Sequence, residues 1–248
     1  MTLSDFFKAH PRCALGFSGG ADSAYLLAEG LRLGAELRPY FVRTAFQPGF
    51  ELADARRLCS VLGVELRVLD YDILAVPEVQ RNPRDRCYFC KRAIFSLIRS
   101  RSFAEGFDTV IDGTNASDDI ADRPGYRALA ELGVLSPLRL CGITKAELRE
   151  RSAGMGLFTA AKPSYACLAT RIPADTHISA EALGRIEHGE DALAAMGYAD
   201  FRLRLTSDGG ARLELPAAQM ERAVRERLAL LDALEGDFGR VTLDLRGR

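Results

Sequence analysis

Apolar and polar positions along the chain fall into two successive rhythms. Residues 12–17, Arg-Cys-Ala-Leu-Gly-Phe, form a short apolar run closed by Ser18-Gly19-Gly20, which predicts a buried strand and a turn. Residues 22–33 carry Leu26, Leu27, Leu31 and Leu33 on one broad face, the spacing of a helix. Residues 37–42 read as a second strand, and residues 49–62 as a second helix through Leu52, Ala55, Leu58 and Leu62. A third strand is predicted over 64–69. Strands alternating with helices in this way need crossover connections, and so a parallel sheet.

The alternation then lapses. Residues 77–86 read as loop, 88–101 as helix, and 109–112 as a short strand ending at Gly113. A capping box of Thr144 and Glu147 opens a helix over 144–155, which restores the alternation and closes a first domain near residue 160. Beyond it a helix over 180–196 precedes two strictly alternating runs, 201–205 and 212–215, joined by the hairpin signal Asp208-Gly209-Gly210. Met220, Val224, Leu228 and Leu231 mark one amphipathic helix, and 241–245 a last strand. The pattern predicts two domains, 1–160 with a parallel α/β sheet and 161–248 as a smaller α+β unit.

Composition narrows the class. The chain has 248 residues, 48% of them hydrophobic, enough to bury a core without disulfides. No run without a charged residue exceeds the ten of 152–161, against the ~20 apolar residues of a membrane-spanning helix. Residues 1–8 lack a basic region followed by an apolar stretch, so a cytoplasmic location is expected. Lys and Arg number 33 against 34 Asp and Glu, which argues against a nucleic-acid partner, although a local basic groove is compatible with it. In a reducing compartment the six cysteines are not structural disulfides. Cys13, Cys59 and Cys141 sit among apolar residues and read as small packing groups.

The chemistry concentrates in two places. Ser18-Gly19-Gly20-Ala21-Asp22-Ser23 follows a predicted strand and opens a predicted helix. Glycines permit close approach and positive φ, a helix start offers backbone N–H groups, and two serines add hydroxyls, a combination suited to phosphate. Asp22 fits beside a magnesium ion that the phosphates also bind. The bland alternative is an ordinary strand-to-helix turn with a polar cap. The second place is Cys87-Tyr88-Phe89-Cys90 at a predicted helix start, surrounded by Arg81, Arg84, Arg86, Lys91 and Arg92, with a third thiol, Cys167, between Pro163 and Pro173. His10, His177 and His188 form no ligand-like array. Three thiolates with no evident fourth ligand fit an iron–sulfur cluster with one open iron better than closed zinc. For Cys167 the alternative is one buried thiol in an interdomain linker.

The hexapeptide resembles the PP-loop of ATP pyrophosphatases, a superfamily that includes GMP, NAD and asparagine synthetases and tRNA-thiolating enzymes. That resemblance implies a five-stranded parallel sheet flanked by helices, of the adenine nucleotide alpha hydrolase kind, and cleavage of ATP between its α and β phosphates to adenylate a substrate oxygen. Residues 82–91 (Asn-Pro-Arg-Asp-Arg-Cys-Tyr-Phe-Cys-Lys), 112–118 (Asp-Gly-Thr-Asn-Ala-Ser-Asp), Arg123-Pro124-Gly125 and 166–173 (Ala-Cys-Leu-Ala-Thr-Arg-Ile-Pro) are similar to the LarE family, and Phe201-Arg202-Leu203-Arg204 also fits it. Members are ATP-dependent sulfur transferases that build the nickel-pincer nucleotide cofactor from pyridinium-3,5-biscarboxylic acid mononucleotide. The resemblance implies ATP and Mg2+ at Ser18, Gly19, Gly20, Asp22, Ser23, Thr114, Asn115 and Asp118, with Asp22 and Cys167 catalytic. It implies substrate contacts from Arg123, Arg171, Arg202 and Arg204, and a homo-oligomer. In some members one cysteine, matching Cys167, surrenders its own sulfur; in others three hold a [4Fe-4S] cluster. Cys87, Cys90 and Cys167 favour the cluster type.

Alternatives stay open for the rest. Arg202 and Arg204 share one strand face, which suits phosphate and carboxylates but also a solvated surface. Asn115 and Asp118 follow a strand end and could equally form a capping turn. Glu190 and Glu214 are candidate ligands for a divalent metal or for substrate. A PP-loop enzyme thiolating tRNA, and an ATP-binding module with a structural metal and no chemistry, are the competing functions. The sulfur donor is not legible.

Overall fold

The computed structural model describes residues 1–119 and 124–248. In chain order its elements are α1 (Leu3–Ala9), β1 (Arg12–Gly16), α2 (Ala21–Arg32), β2 (Glu36–Arg43), α3 (Gly49–Val61), β3 (Arg67–Asp70), α4 (Pro77–Gln80), α5 (Arg86–Ala104), β4 (Thr109–Ile111), α6 (Pro124–Glu131), α7 (Pro137–Leu140), α8 (Lys145–Gly154), α9 (Ala180–Ala195), β5 (Arg202–Leu205), β6 (Ala211–Glu214), α10 (Ala217–Arg225), α11 (Arg227–Leu234) and β7 (Val241–Leu243). Two compact units share them. One comprises Met1–Ile73 and Asp85–Tyr165; the other comprises Leu74–Arg84 and Ala166–Arg248. Leu74–Arg84, which includes most of the 77–86 stretch read as loop, thus contributes the short α4 to the second unit.

The first unit is built on a parallel sheet of order β3-β2-β1-β4. Cys13, Ala14 and Leu15 of β1 are wholly buried, so this strand reads as a continuous apolar run, as a strand covered on both faces must. Phe6, Phe7, Leu26, Leu27 and Leu148, from α1, α2 and α8, join one apolar cluster with Cys13 and Leu15. Phe95, Ile98 and Leu129, from α5 and α6, join another with Ala14, Tyr40 and Val42. Among the described residues the sheet has four strands, not the five expected. At the edge beyond β4, Leu135 makes one isolated parallel bridge to Ile111. Its N–H donates to the Val110 carbonyl at 3.0 Å and its carbonyl accepts from Asp112 N at 2.9 Å. Two residues later Pro137 opens α7 and has no N–H with which to extend the ladder.

In the second unit β5 and β6 form the antiparallel hairpin and β7 adds parallel to β6. The single amphipathic helix expected through Met220 and Leu231 is instead two. The chain breaks at Glu226 (φ −89°, ψ 12°), which re-phases the helix. Ala223, Leu230 and Leu234 become the buried positions, and Val224 and Leu228 are exposed.

A charged pair lies inside this unit. Arg171 is 1% exposed and forks onto both oxygens of Glu190, with Nε at 2.7 Å and Nη2 at 3.1 Å. Glu190 Oε1 also accepts the backbone N–H of Leu203 at 3.1 Å, joining α9 to β5. Paired and hydrogen-bonded, the two charges are tolerated; removing one strands the other.

Two outcomes follow from this packing. Arg171→Met should cost about 3–5 kcal/mol in urea unfolding of the full chain, and the double variant Arg171→Met/Glu190→Met clearly less, because no lone charge remains. A double variant as unstable as the single one would contradict the pairing argument. Burial pushes the Cys13 thiol up to about 12 and the Cys59 thiol up to about 11, whereas Cys87 is exposed. At pH 8 iodoacetamide should alkylate Cys87 and leave Cys13 and Cys59 unmodified until the chain unfolds, read by peptide mass spectrometry. Alkylation of Cys13 at the rate of Cys87 in the folded chain would refute it.

Candidate active site

In an open parallel sheet, ligands bind beyond the carboxyl ends of the strands, where the strand order reverses. From β1 the chain steps to β2 and β3 on one side and places β4 on the other. The reversal therefore lies between β1 and β4, and the segments leaving those two strands are residues 17–20 and 112–118.

The first segment folds around its hydroxyls. Ser18 Oγ accepts from Gly20 N at 3.3 Å and lies 3.3 Å from Ser23 Oγ, which donates to the Gly20 carbonyl at 3.2 Å. Gly19 has φ 71°, and a Cβ there would stand 3.0 Å from the Glu51 carbonyl and 3.3 Å from the Ala55 Cβ of α3. Only glycine meets both demands. Gly20 caps α2 with no side-chain hydrogen bond, so the helix presents its first N–H groups without a side-chain acceptor.

The second segment closes on the first. A Cβ on Gly113 would stand 3.0 Å from Ser23 N and 3.3 Å from the Asp22 Cβ, so glycine lets the two segments abut. Asp112, buried at the strand end, accepts from Ser136 Oγ at 2.6 Å and from Thr114 Oγ1 at 2.5 Å. Asn115 is 3% exposed; its side-chain Nδ2 donates to Asp22 Oδ1 at 2.9 Å and its Oδ1 accepts Ser117 N at 2.9 Å. Asp118 Oδ2 accepts Asn115 N at 3.0 Å, and the Asp118 carbonyl is held by Arg139 Nη1 at 2.8 Å.

Lys145 completes the arrangement. Its Nζ pairs with Asp22 Oδ2, and its backbone N–H donates to Ser117 Oγ at 3.0 Å. It is the first residue of α8, directly after the Thr144 of the Thr144–Glu147 capping box. Sequence reasoning used that box and passed over the lysine. The available signal was a cation at a helix start, the end where the macrodipole disfavours it, which calls for an anionic partner. Ser18, Gly19, Gly20, Asp22, Ser23, Thr114, Asn115 and Asp118 are thus gathered at one end of one sheet. Arg123 lies outside the described residues. The donors fit a phosphate chain, and Asp22 fits a magnesium ion, which binds through one or two carboxylates plus phosphate oxygens.

A further anchor sits on α3, whose Glu51 and Ala55 back Gly19. Lys162 Nζ pairs with Asp54 Oδ2 at 2.6 Å and lies 5.1 Å from the Phe50 ring centroid. Tyr165 packs edge-on to Phe50 at 5.1 Å.

Cys87 and Cys90 lie in the first turns of α5, a helix tied to α6 by Tyr88 OH donating to Glu131 Oε2 at 2.7 Å and by Arg127 4.1 Å over the Tyr88 ring. Cys87 is exposed and Cys90 half-buried. Cys167 belongs to the second unit, half-buried on a stapled turn rather than a loose linker. Thr170 donates to its carbonyl through N at 2.9 Å and Oγ1 at 2.8 Å. Arg171 Nη1 holds the Ala166 carbonyl at 2.9 Å and Arg204 Nη1 the Thr170 carbonyl at 2.6 Å. Among the described residues no three His, Cys, Asp or Glu side chains form a metal-holding group. The first unit supplies two of the three thiols and the second supplies one, so neither alone fits a three-thiolate cluster.

The arginines and glutamates of the second unit find one another. Besides Arg171 with Glu190, Glu214 Oε1 accepts from Arg204 Nε at 2.7 Å and Arg212 Nη2 at 3.1 Å. Both carboxylates serve arginines here, and neither is grouped with other acidic, thiol or imidazole side chains as a divalent-metal site among the described residues. Arg202 is not on a solvated face: it is 6% exposed, and burial, reinforced by Arg171 and Arg248, brings its guanidinium down to about 10.

No helix among the described residues is long and apolar enough to cross a membrane. No family model matches the chain. It is 30% identical over 193 residues to the tRNA-specific 2-thiouridylase MnmA of Leifsonia xyli subsp. xyli, covering 61% of this chain and 52% of that one. This is distant homology to a PP-loop enzyme, and the chain spans about half the length of that relative. It is 29% identical to the uncharacterized protein MJ0830 of Methanocaldococcus jannaschii, over 82% of this chain and 77% of that one. Uncharacterized protein slr1717 of Synechocystis sp. is 34% identical, over 99% of this chain and 92% of its own length. With near-complete coverage at that identity, the chain belongs to the same family as slr1717.

Proposed function

We propose that this chain is an ATP-dependent sulfur transferase of the LarE kind. It adenylates the carboxylates of pyridinium-3,5-biscarboxylic acid mononucleotide with release of pyrophosphate, then replaces AMP with sulfur. The observation that carries the reading is the phosphate loop at the β1–β4 reversal with Asp22 fixed inside it, in a chain distantly homologous to a tRNA-thiolating enzyme. The substrate carboxylate attacks the α-phosphorus and pyrophosphate leaves. The N–H groups opening α2 and the loop hydroxyls take up phosphate charge, while Asp22 orients Mg2+. Positioning and charge neutralisation are what this step needs. Arg202 and Arg204 supply guanidinium groups suited to the substrate's phosphate and carboxylates.

Sulfur delivery turns on Cys167. The rigid Ala166–Arg171 turn supports a role beyond packing, as does its different setting from buried Cys13 and Cys59. Either Cys167 Sγ attacks the acyl adenylate, AMP leaves, and loss of the Cα proton with cleavage of the Cβ–Sγ bond leaves the thiocarboxylate and a dehydroalanine, or Cys87, Cys90 and Cys167 together would hold a [4Fe-4S] cluster, which would supply an exchangeable sulfide. Iron and acid-labile sulfide in anaerobically purified protein separate the two: about four of each per chain, lost in Cys87→Ala, mark the cluster, and none after reconstitution marks sacrifice of Cys167.

Similarity to a tRNA-specific 2-thiouridylase favours one second reading, thiolation of tRNA. Pyrophosphate release that requires the pyridinium mononucleotide and ignores tRNA supports the first reading; the reverse supports the second, with affinity falling steeply with salt. ATP bound with no pyrophosphate under either condition would indicate a non-catalytic module. Asp22→Asn should lower pyrophosphate release by roughly 100-fold or more, the scale of a lost electrostatic group at a reacting phosphate. Cys167→Ala should still release pyrophosphate but form no thiocarboxylate. Normal thiolated product from Cys167→Ala, read by mass spectrometry, would remove Cys167 from the mechanism.

A further inference from the structure

Lys145 stands where two helix starts converge on one carboxylate. Asp22 is the second residue of α2 and Lys145 the first of α8, so the positive ends of both helices face the same point. Asp22 has two oxygens: Oδ1 takes the Asn115 amide and Oδ2 takes the Lys145 ammonium. The start of α8 is already capped by Glu147, whereas the start of α2 has no side-chain cap, so the N–H groups opening α2, beside the Lys145 ammonium, are the place suited to a further anion. The lysine backbone is fixed by Ser117 Oγ and by the Thr144–Glu147 box, whereas its side chain is 30% exposed on a rotatable stem.

We infer that Lys145 exchanges partners during nucleotide binding. Its ammonium neutralises Asp22 until a divalent cation takes that carboxylate, and then moves to the non-bridging oxygens of the triphosphate lodged at the start of α2. This rests on the adenylating reading of the same site. An ammonium and a divalent cation cannot both press on one carboxylate oxygen without strong repulsion, so the cation must displace the lysine. Around Asp22 the next anion available is the phosphate bound by the N–H groups of α2; the neighbouring Asp112 and Asp118 carboxylates already accept hydrogen bonds from Thr114, Ser136 and Asn115. The exchange makes metal and nucleotide bind cooperatively. Metal alone has to evict the lysine with nothing to receive it, and nucleotide alone finds the lysine engaged. Such coupling is reciprocal by necessity.

The test uses the full chain and binding alone. Mn2+ by itself, Mg2+ with the α,β-methylene analogue of ATP, and Mg2+ with inorganic pyrophosphate are titrated against the parent, Lys145→Met and Lys145→Arg. Lys145→Met should bind Mn2+ alone roughly tenfold more tightly, because the competing cation is gone. It should bind both phosphate ligands roughly tenfold or more weakly, since one charge-assisted hydrogen bond to phosphate is worth about a factor of ten. Lys145→Arg should recover most of the phosphate affinity. A purely structural lysine would weaken every ligand together, and that result, or unchanged binding of all three, overturns the exchange. Unfolding midpoints check that Lys145→Met is folded, and Lys145→Gln replaces it if it is not. If the folded parent binds neither phosphate ligand, the adenylating reading fails, and with it the exchange. Equal binding by parent and variant removes the lysine's role alone.

Discussion

A closed ring of contacts holds the phosphate loop in its shape: Asp22 to Asn115, Asn115 to Ser117, Ser117 to the Lys145 backbone, and the Lys145 ammonium back to Asp22. It joins the start of α2, the segment after β4 and the start of α8, three places far apart in sequence. None of these contacts is strong alone, and the ion pair is partly exposed, where pairs contribute little to stability. Their value is geometric. Two glycines, Gly19 and Gly113, remove the bulk that would hold α3 and the β4 segment away, and the ring then fixes what glycine leaves loose. A site built this way is preorganised by its scaffold.

Much of this was legible in the sequence, for a physical reason. Buried parallel strands and amphipathic helices write their period into the chain, and β1, α2, β2, α3 and α8 lie within a few residues of where the pattern puts them. The capping box of Thr144 and Glu147 is formed as its residues require, because it is a local interaction. Non-local features escaped. The sheet stops at four strands among the described residues because of where Leu135 falls against Ile111, which no periodicity encodes. The break at Glu226 shifts the phase of an otherwise helical pattern, so the wrong apolar residues were assigned inward.

The same division runs through the site. Ser18 to Ser23 is readable because backbone geometry dictates residue type there. Lys145 is not, because its significance arises only when α8 meets α2. Charged residues of the second unit show the opposite error. The alternation around Arg202 is equally that of a solvated strand face, yet Arg202 is buried, as are Arg171 and Glu190, whose fork of hydrogen bonds replaces water around the guanidinium. A charge pattern says which residues are polar; it does not say whether the partner is solvent or another side chain.

The second unit is made of two stretches of chain. Asn82, 1% exposed and in the left-handed region at φ 57°, donates its amide to the Pro173 carbonyl at 2.8 Å, and its own carbonyl accepts Asp175 N at 2.8 Å. The intervening Asp85–Tyr165 belongs to the other unit. On a ribosome Leu74–Arg84 emerges long before its mates and has to wait for them, a long-range closure that comes late in assembly. Cutting the chain once near residue 160 would therefore not release two self-sufficient halves: the carboxyl-terminal piece would lack the strand of chain that fills its own flank.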